Sequence, residues 1–281
     1  MSKETLTLSY CDELVRDFEK TIDCPISGNS SVYYTGVDLG TACVVLAVLD
    51  EDYKPVAGAY RYADVVRDGM VVDYIGAVRI VTELKKEIEE KLGAELLYAA
   101  AAIPPGTDAL DSGAVKNVVQ AAGFELTNLL DEPTAANEVL KIENGAVVDI
   151  GGGTTGISIL KDGKVVYVED EPTGGTHFSL VISGAYKLPF AEADKYKRNP
   201  GNHKELLPIL KPVIEKISTI INRHIEGHDV EGISLVGGTC CLAGIEEIIE
   251  KQTGIYTHKP QNPMFVTPLG IALSCTQKSM E

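Results

Sequence analysis

Apolar residues recur along this chain with two spacings, 2 and about 3.6, and the alternation of the two predicts strands interleaved with helices. Leu8, Cys11, Leu14, Val15, Phe18 and Ile22 share one helical face, so residues 8–22 are expected to form an amphipathic helix. Pro25, Gly28 and Ser30 then mark a linker. Apolar runs predict strands at 32–37, 43–49 and 55–60, and a short one near 70–72. Ile80, Leu84, Ile88 and Leu92 define a helix over 75–92. A small-residue strand over 96–103 stops at Pro104-Pro105, a helix covers 108–122 with Gly123 just past its end, and a strand follows at 124–130. Pro133 suits the first turn of another helix.

The same series then starts again. Strands at 146–150 and 156–160 flank a glycine turn, and the Asp162-Gly163 hairpin returns the chain through 165–168. Helices are expected at 176–186, 189–196 and 206–225, where Pro212 marks a kink or the true first turn. A strand at 232–236, a helix from 242 to 251, a strand near 255–257 and a closing helix from 268 complete the list. Strand, glycine turn, strand, strand, helix, strand, helix thus occurs twice, beginning near 32 and near 146. The repeat predicts an α/β fold of two similar domains. The segmentation is 1–31 as helix and linker, 32–144 as a first domain completed by 266–281, and 145–265 as a second.

Bulk properties narrow the function. The 281 residues suffice for two cores, and 44% apolar and 23% charged residues are ordinary for a globular protein. A net charge of -16 argues against nucleic-acid binding. No run approaches about 18 consecutive apolar residues, so no membrane span is expected. The early acids Glu4, Asp12 and Glu13 are unlike a signal peptide. Six cysteines without CxxC spacing read as free thiols.

The candidate chemistry lies in two aspartate-glycine turns, Asp38-Leu39-Gly40-Thr41 and Asp149-Ile150-Gly151-Gly152-Gly153-Thr154. Each offers a carboxylate, a row of backbone N–H groups and a hydroxyl, the donors that a nucleotide's phosphates and their metal require. Glycine lets the backbone approach a phosphate with no Cβ in the way. Thr41 and Thr154 are placed to donate to phosphate oxygens, with Thr35 and Thr155 weaker candidates. The glycines lack the GxGxxG spacing of a dinucleotide fold, and no Walker A lysine follows them.

Taken with Asp131-Glu132-Pro133-Thr134-Ala135-Ala136 and Leu235-Val236-Gly237-Gly238, these turns resemble the phosphate, connecting and adenosine motifs of the DnaK-like, actin-like ATPase superfamily. Within it, the chain looks most like the ethanolamine-utilisation family. That resemblance implies an actin-like ATPase fold, two ribonuclease H-like domains with a nucleotide cleft between them, and ATP or ADP with Mg²⁺ as ligands. It makes Asp38 and Asp149 the metal-side carboxylates and Glu132 the residue that positions or deprotonates the attacking water. It places Gly40, Gly151, Gly152 and Gly153 against phosphates, Gly237 and Gly238 against adenosine, Gly174 and Gly175 against phosphate or ribose, and Glu192 and Lys195 against ribose or adenine. Lys197 and Arg198 read as solvated charge. The implied partners are ethanolamine-utilisation enzymes or microcompartment shell proteins, and the implied location is cytoplasmic.

The chain departs from the chaperone pattern in three places. Cys241 stands where an adenine-stacking arginine is expected. Only the residues between 186 and 206 are available for the outer lobe of the second domain, so that lobe is truncated. No catalytic lysine can be placed, with Arg61, Arg67 and Arg79 as loose substitutes. A slow chaperone ATPase, a non-hydrolysing scaffolding adaptor that docks through residues 8–22, and a small-substrate kinase of the same superfamily all remain open at this point.

Overall fold

The computed structural model describes residues 3–26, 30–67, 69–105 and 107–277. Gly28 of the expected linker, the side chain of Leu8 and the last residues of the 266–281 segment lie outside that description. Two compact units divide the chain: residues 1–141 with 260–281, and residues 142–259.

The first unit begins with α1 (Lys3–Asp23), followed by β1 (Tyr34–Leu39), β2 (Cys43–Leu49) and β3 (Pro55–Tyr62). A small hairpin of β4 (Val66–Arg67) and β5 (Met70–Val71) leads into α2 (Tyr74–Leu92). β6 (Tyr98–Ile103), α3 (Ala109–Ala121), β7 (Glu125–Asp131) and α4 (Glu132–Leu140) follow. The sheet order is β3-β2-β1-β6-β7, with the hairpin strands antiparallel and β1, β6 and β7 parallel. Local chemistry sets the helix ends. Asp73 caps α2 by accepting from Gly76 N–H at 2.9 Å, Asp108 caps α3, and the chain leaves α2 through Gly93 in the left-handed region. Ile80, Leu84, Ile88, Val115 and Val118 pack α2 and α3 on one sheet face, against Val37, Leu39, Val44 and Leu46.

The other face is covered by α1, α4 and the last helix, α9 (Val266–Ser274). Cys11, Val15 and Phe18 of α1 are fully buried, and the Phe18 ring meets Phe265 edge-on at 5.2 Å. α1 is therefore packed rather than a free docking peptide. Glycine permits the closest contacts here: a Cβ on Gly58 would overlap the Phe18 ring, and one on Gly36 would lie 2.6 Å from Ala272 N in α9.

The second unit repeats the plan. β8 (Gly145–Ile150), β9 (Thr155–Lys161) and β10 (Lys164–Glu171) form an antiparallel meander. α5 (Gly175–Tyr186), α6 (Phe190–Lys197), α7 (His203–Ile225), β11 (Ile233–Val236), α8 (Ile245–Thr253) and β12 (Thr257–His258) complete it. Sheet order β10-β9-β8-β11-β12 reproduces that of the first unit strand for strand, with β8, β11 and β12 parallel. Phe178, Ile182, Leu210, Ile214, Ile217 and Ile221 bury its helical face against Val148, Ile150 and Ile157.

Helix α7 runs unbroken through Pro208 and Pro212. Both prolines lie on its exposed side, where water can solvate the carbonyls that lose an N–H partner. The 237–244 segment begins with a 3-10 turn over Gly238–Cys241 before α8 starts, three residues later than the apolar pattern suggests.

Candidate functional site

Both aspartates occupy the same place in their sheets. Asp38 is next to last in β1 and pairs with Val45 of β2; Asp149 is next to last in β8 and pairs with Gly156 of β9. The neighbours Val37 and Leu39, and Val148 and Ile150, point into the α2/α3 and α5/α7 cores. Strand alternation sends each carboxylate to the opposite face, half-buried at the carboxyl end of a central parallel strand. Open α/β sheets bind ligands outside the carboxyl ends of their strands, where the strand order reverses direction.

In the first unit that end also carries Glu132. β1, β6 and β7 are parallel neighbours, and Asp131 at the end of β7 pairs with Ile103. Asp131 caps α4: its Oδ1 accepts from Thr134 N–H at 2.9 Å and its Oδ2 from the Thr134 hydroxyl at 2.8 Å. With Pro133 behind it, Glu132 is held as the first residue of α4, half-buried and two strands from Asp38. Gly40 permits a tight turn, since a Cβ there would lie 2.8 Å from the Cys43 carbonyl oxygen. Thr41 is half-buried beside it. Arg61 pairs with Glu83 at 2.7 Å and Glu87 at 3.7 Å, Arg67 pairs with Asp64 at 3.6 Å, and Arg79 is exposed.

In the second unit the glycine turn is braced from several sides. Gly151 N–H donates to the Thr154 carbonyl at 3.0 Å and closes the turn. The first N–H groups of α5 donate back to it, Gly175 to the Gly151 carbonyl at 3.0 Å and Thr176 to the Gly152 carbonyl at 2.8 Å. The Thr239 hydroxyl reaches the same Gly151 carbonyl at 2.7 Å. A Cβ on Gly174 would sit 2.9 Å from Gly151 O and Thr154 N, so only glycine allows this approach. Gly174 and Gly175 thus support the turn from behind. Its carbonyls are held in place, while Gly152, Gly153 and Thr154 remain half-exposed.

Gly237, at φ +89°, brings the loop after β11 alongside; a Cβ there would overlap Asp149 Oδ1. Gly238 is exposed, Thr239 and Cys240 are buried, and Cys241 is half-buried. Burial pushes the Cys240 thiol well up, reinforced by the Asp149 charge, which keeps it protonated. Thr155 donates to the Thr173 carbonyl at 2.5 Å and Thr35 is fully buried, so neither hydroxyl faces the turns.

Helix α6 corrects one expectation. Lys197 is not solvated: its Nζ donates to the Gly175 carbonyl at 2.8 Å, to Ser179 Oγ at 2.8 Å and to Asp194 Oδ1 at 2.9 Å. Arg198 binds Asp194 Oδ2 at 3.3 Å. Burial pushes the Asp194 carboxyl up, but Lys197, Ser179 and Arg198 outweigh it and hold the group below its usual range. The Lys197 ammonium is lowered by burial, with Asp194 opposing. Glu192 and Lys195 lie exposed on the other side of α6. The Asp194, Lys197, Arg198 spacing of i, i+3 and i+4 was the available sequence signal for this cluster.

No group of three or more His, Cys, Asp or Glu side chains among the described residues could hold a metal by itself. A divalent ion at either turn would therefore need phosphate oxygens and water to complete its shell. Magnesium accepts such a shell, and the half-exposed backbone of Gly152 and Gly153 is open to the phosphate that would complete it.

Two sheets of identical order, each with an aspartate-glycine turn at its central strand, define an α/β fold resembling the actin-like and chaperone ATPase architecture. The chain belongs to the family of the ethanolamine utilization protein EutJ. It is 46% identical to that protein of Escherichia coli (strain K12) over 254 residues, 90% of each chain. The crystal structure of EutJ from Carboxydothermus hydrogenoformans matches with a TM-score of 0.91 and 46% identity over 95% of this chain and 99% of the other. Residues 121–265 match the family model described as type IV pilus assembly protein PilM. A chaperone protein HscA homolog of Pseudomonas paraeruginosa is 30% identical over 61% of this chain but only 28% of its own length. MreB 5 of Spiroplasma citri, bound to AMPPNP, shares the fold with a TM-score of 0.70 at 18% identity, over 87% of this chain and 96% of that one. Among the described residues no helix is long and apolar enough to cross a membrane.

Proposed function

We propose that the protein binds ATP with Mg²⁺ and acts as a chaperone-like component of ethanolamine utilisation, hydrolysing ATP slowly while assisting microcompartment-associated enzymes in the cytoplasm. The observation that carries this reading is the braced turn after Asp149 and its counterpart after Asp38, one at the same position of each sheet. In this reading 32–144 with 266–281, and 145–265, are two ribonuclease H-like ATPase domains, the second with a truncated outer lobe. Asp38 and Asp149 order the metal's water shell. Gly40, Thr41, Gly151, Gly152, Gly153 and Thr154 hold phosphates, and Gly237 and Gly238 pass the adenosine. Mg²⁺, when bound, would supply neutralisation of phosphate charge. Glu132 accepts a hydrogen bond from the attacking water and takes its proton. The kinship with EutJ proteins and, over part of the chain, with HscA-type chaperones supports the chaperone-like role.

A second reading is a nucleotide-bound scaffolding adaptor without turnover. It is favoured by the engagement of Arg61 with Glu83 and Glu87, which leaves that substitute for the missing lysine committed elsewhere. Calorimetric binding of ATP with and without Mg²⁺, followed by phosphate release from wild type and Glu132→Ala, decides between them. Slow Mg-dependent turnover that falls at least about 100-fold in the variant, with binding retained, is the expected result. Binding with no turnover in wild type favours the adaptor, and absence of binding rejects both.

A further inference from the structure

The second unit also buries a histidine. His203 opens α7 and is 6% exposed. Its Nε2 lies 3.1 Å from the Lys197 carbonyl oxygen, and its Nδ1 accepts from Ala243 N–H at 3.2 Å. These partners fix the tautomer. A carbonyl only accepts, so the proton sits on Nε2; an amide N–H only donates, so Nδ1 is bare. His203 therefore ties the end of α6, which carries Asp194 and Lys197, to the loop that starts at Gly237.

The charges around it are accounted for. Lys259, beyond β12, donates to the Leu242 carbonyl at 2.8 Å and pairs with Glu246 of α8 at 2.7 Å. From α6, the Lys197 ammonium is turned toward Gly175 and Asp194, and Arg198 toward Asp194. No carboxylate forms an ion pair with the imidazole among the described residues. Burial pushes His203 below its ordinary value; the Lys197 carbonyl opposes this and the Lys259 charge adds to it.

We propose that His203 is a positioning residue for the adenosine side of the nucleotide site: the neutral imidazole holds the 237–244 loop against the end of α6, and a proton on Nδ1 releases it. The proposal rests on the nucleotide reading above. Protonation replaces the acceptor at Nδ1 with a donor that faces the Ala243 N–H donor, so one hydrogen bond is lost and two like dipoles oppose each other.

The test uses the full chain. Binding of a fluorescent ADP with Mg²⁺ is measured from about pH 5 to pH 8 in wild type and in His203→Gln. The glutamine amide can still accept from Ala243 and donate to Lys197, but it does not titrate. In parallel, the Ala243 amide resonance is followed by NMR in the nucleotide-free wild type. Wild-type affinity should be level above pH 7 and weaken toward tenfold per pH unit below the His203 pKa. The variant should bind within about threefold of wild type at pH 7 and lose the acid-side weakening. The Ala243 resonance should titrate with the same midpoint as the affinity. Coincident pH profiles in the two proteins, or an Ala243 amide indifferent to the His203 titration, overturn the proposal. Failure to bind nucleotide at any pH overturns the nucleotide reading and this role with it. The NMR titration separates that outcome from a failure of the His203 contact itself, and needs no variant to fold.

Discussion

Gly237 shows how much one residue can decide. At φ +89° and ψ 157° its backbone lies in a region that L side chains scarcely enter, and the space a Cβ would need is taken by Asp149 Oδ1. Gly237→Ala should cost about 1–3 kcal/mol from backbone strain alone. It should also push the Asp149 carboxylate out of place. A lower denaturant midpoint together with weakened nucleotide binding is expected, and an unchanged midpoint would refute the strain argument. Glu171 shows a charge effect of similar locality. Its Oε1 meets His224 Nε2 at 2.9 Å and the Arg223 guanidinium, while Tyr167 Oη meets His224 Nδ1 at 2.7 Å. The His224 hydrogen bond outweighs burial and, with Arg223, holds the Glu171 carboxyl below its usual 4.5. A depressed folded pKa means that this stabilisation is complete above about 4.5 and fades as pH falls through the folded value. Glu171→Gln should therefore lower the thermal midpoint at pH 7, and the gap from wild type should narrow near pH 3. A gap of equal size at both pH values would contradict the assignment.

At the scale of elements, α1 illustrates a helix whose pattern was plain and whose partner was not. The spacing of Cys11, Val15 and Phe18 gave the apolar face, but only the fold shows Gly58 of β3 opened to receive the Phe18 ring. Phe18→Ala should destabilise the first unit by about 3–5 kcal/mol, read from the first transition in urea. Deleting residues 1–30 should do at least as much. A truncated protein of wild-type stability would show that α1 is dispensable to the core. The central strands and their turns were legible because period-2 apolar runs end abruptly in Asp and Gly. Helix α6 was not: with eight residues and one buried position, Ala193, it has no stripe from which to read an inward face. Hence the pattern leaves Lys197 among the solvated charges, although Asp194 and Ser179 supply two of its three acceptors. His203 was illegible for a similar reason. Its partners are a carbonyl and an amide of the main chain, and no side-chain pattern announces those. The kink or helix start expected at Pro212 does not form, since the disruption from the α7 prolines falls on the solvated side of a helix held by Leu206, Leu210 and Ile214.

At the scale of the whole molecule, the two units share a sheet order but not a chain path. The second is one continuous stretch, 142–259, while the first leaves at 141 and returns at 260. The return carries α9, whose Val266, Leu269, Ile271 and Ala272 are fully buried, and whose main neighbours are α4 and β1. A Cβ on Gly270 would overlap the Ala135 carbonyl, so α9 and α4 touch backbone to backbone. Stopping the chain at 259 thus removes a central layer of the first unit's core. Residues 142–259 expressed alone should unfold in one cooperative step by circular dichroism, since their core of Phe178, Ile182, Leu210, Ile214 and Ile217 is entirely their own. Residues 1–141 expressed alone should show no cooperative transition until a peptide spanning 260–281 is added. The excised second unit keeps Asp149, the glycine turn and Gly237 but lacks Asp38, Gly40 and Thr41, so it should bind Mg-nucleotide at least about tenfold more weakly than the full chain, by about 1.4 kcal/mol or more. Binding of full strength by 142–259 would mean that the first aspartate-glycine turn contributes nothing to affinity, and the pairing of the two turns in one function would have to be abandoned.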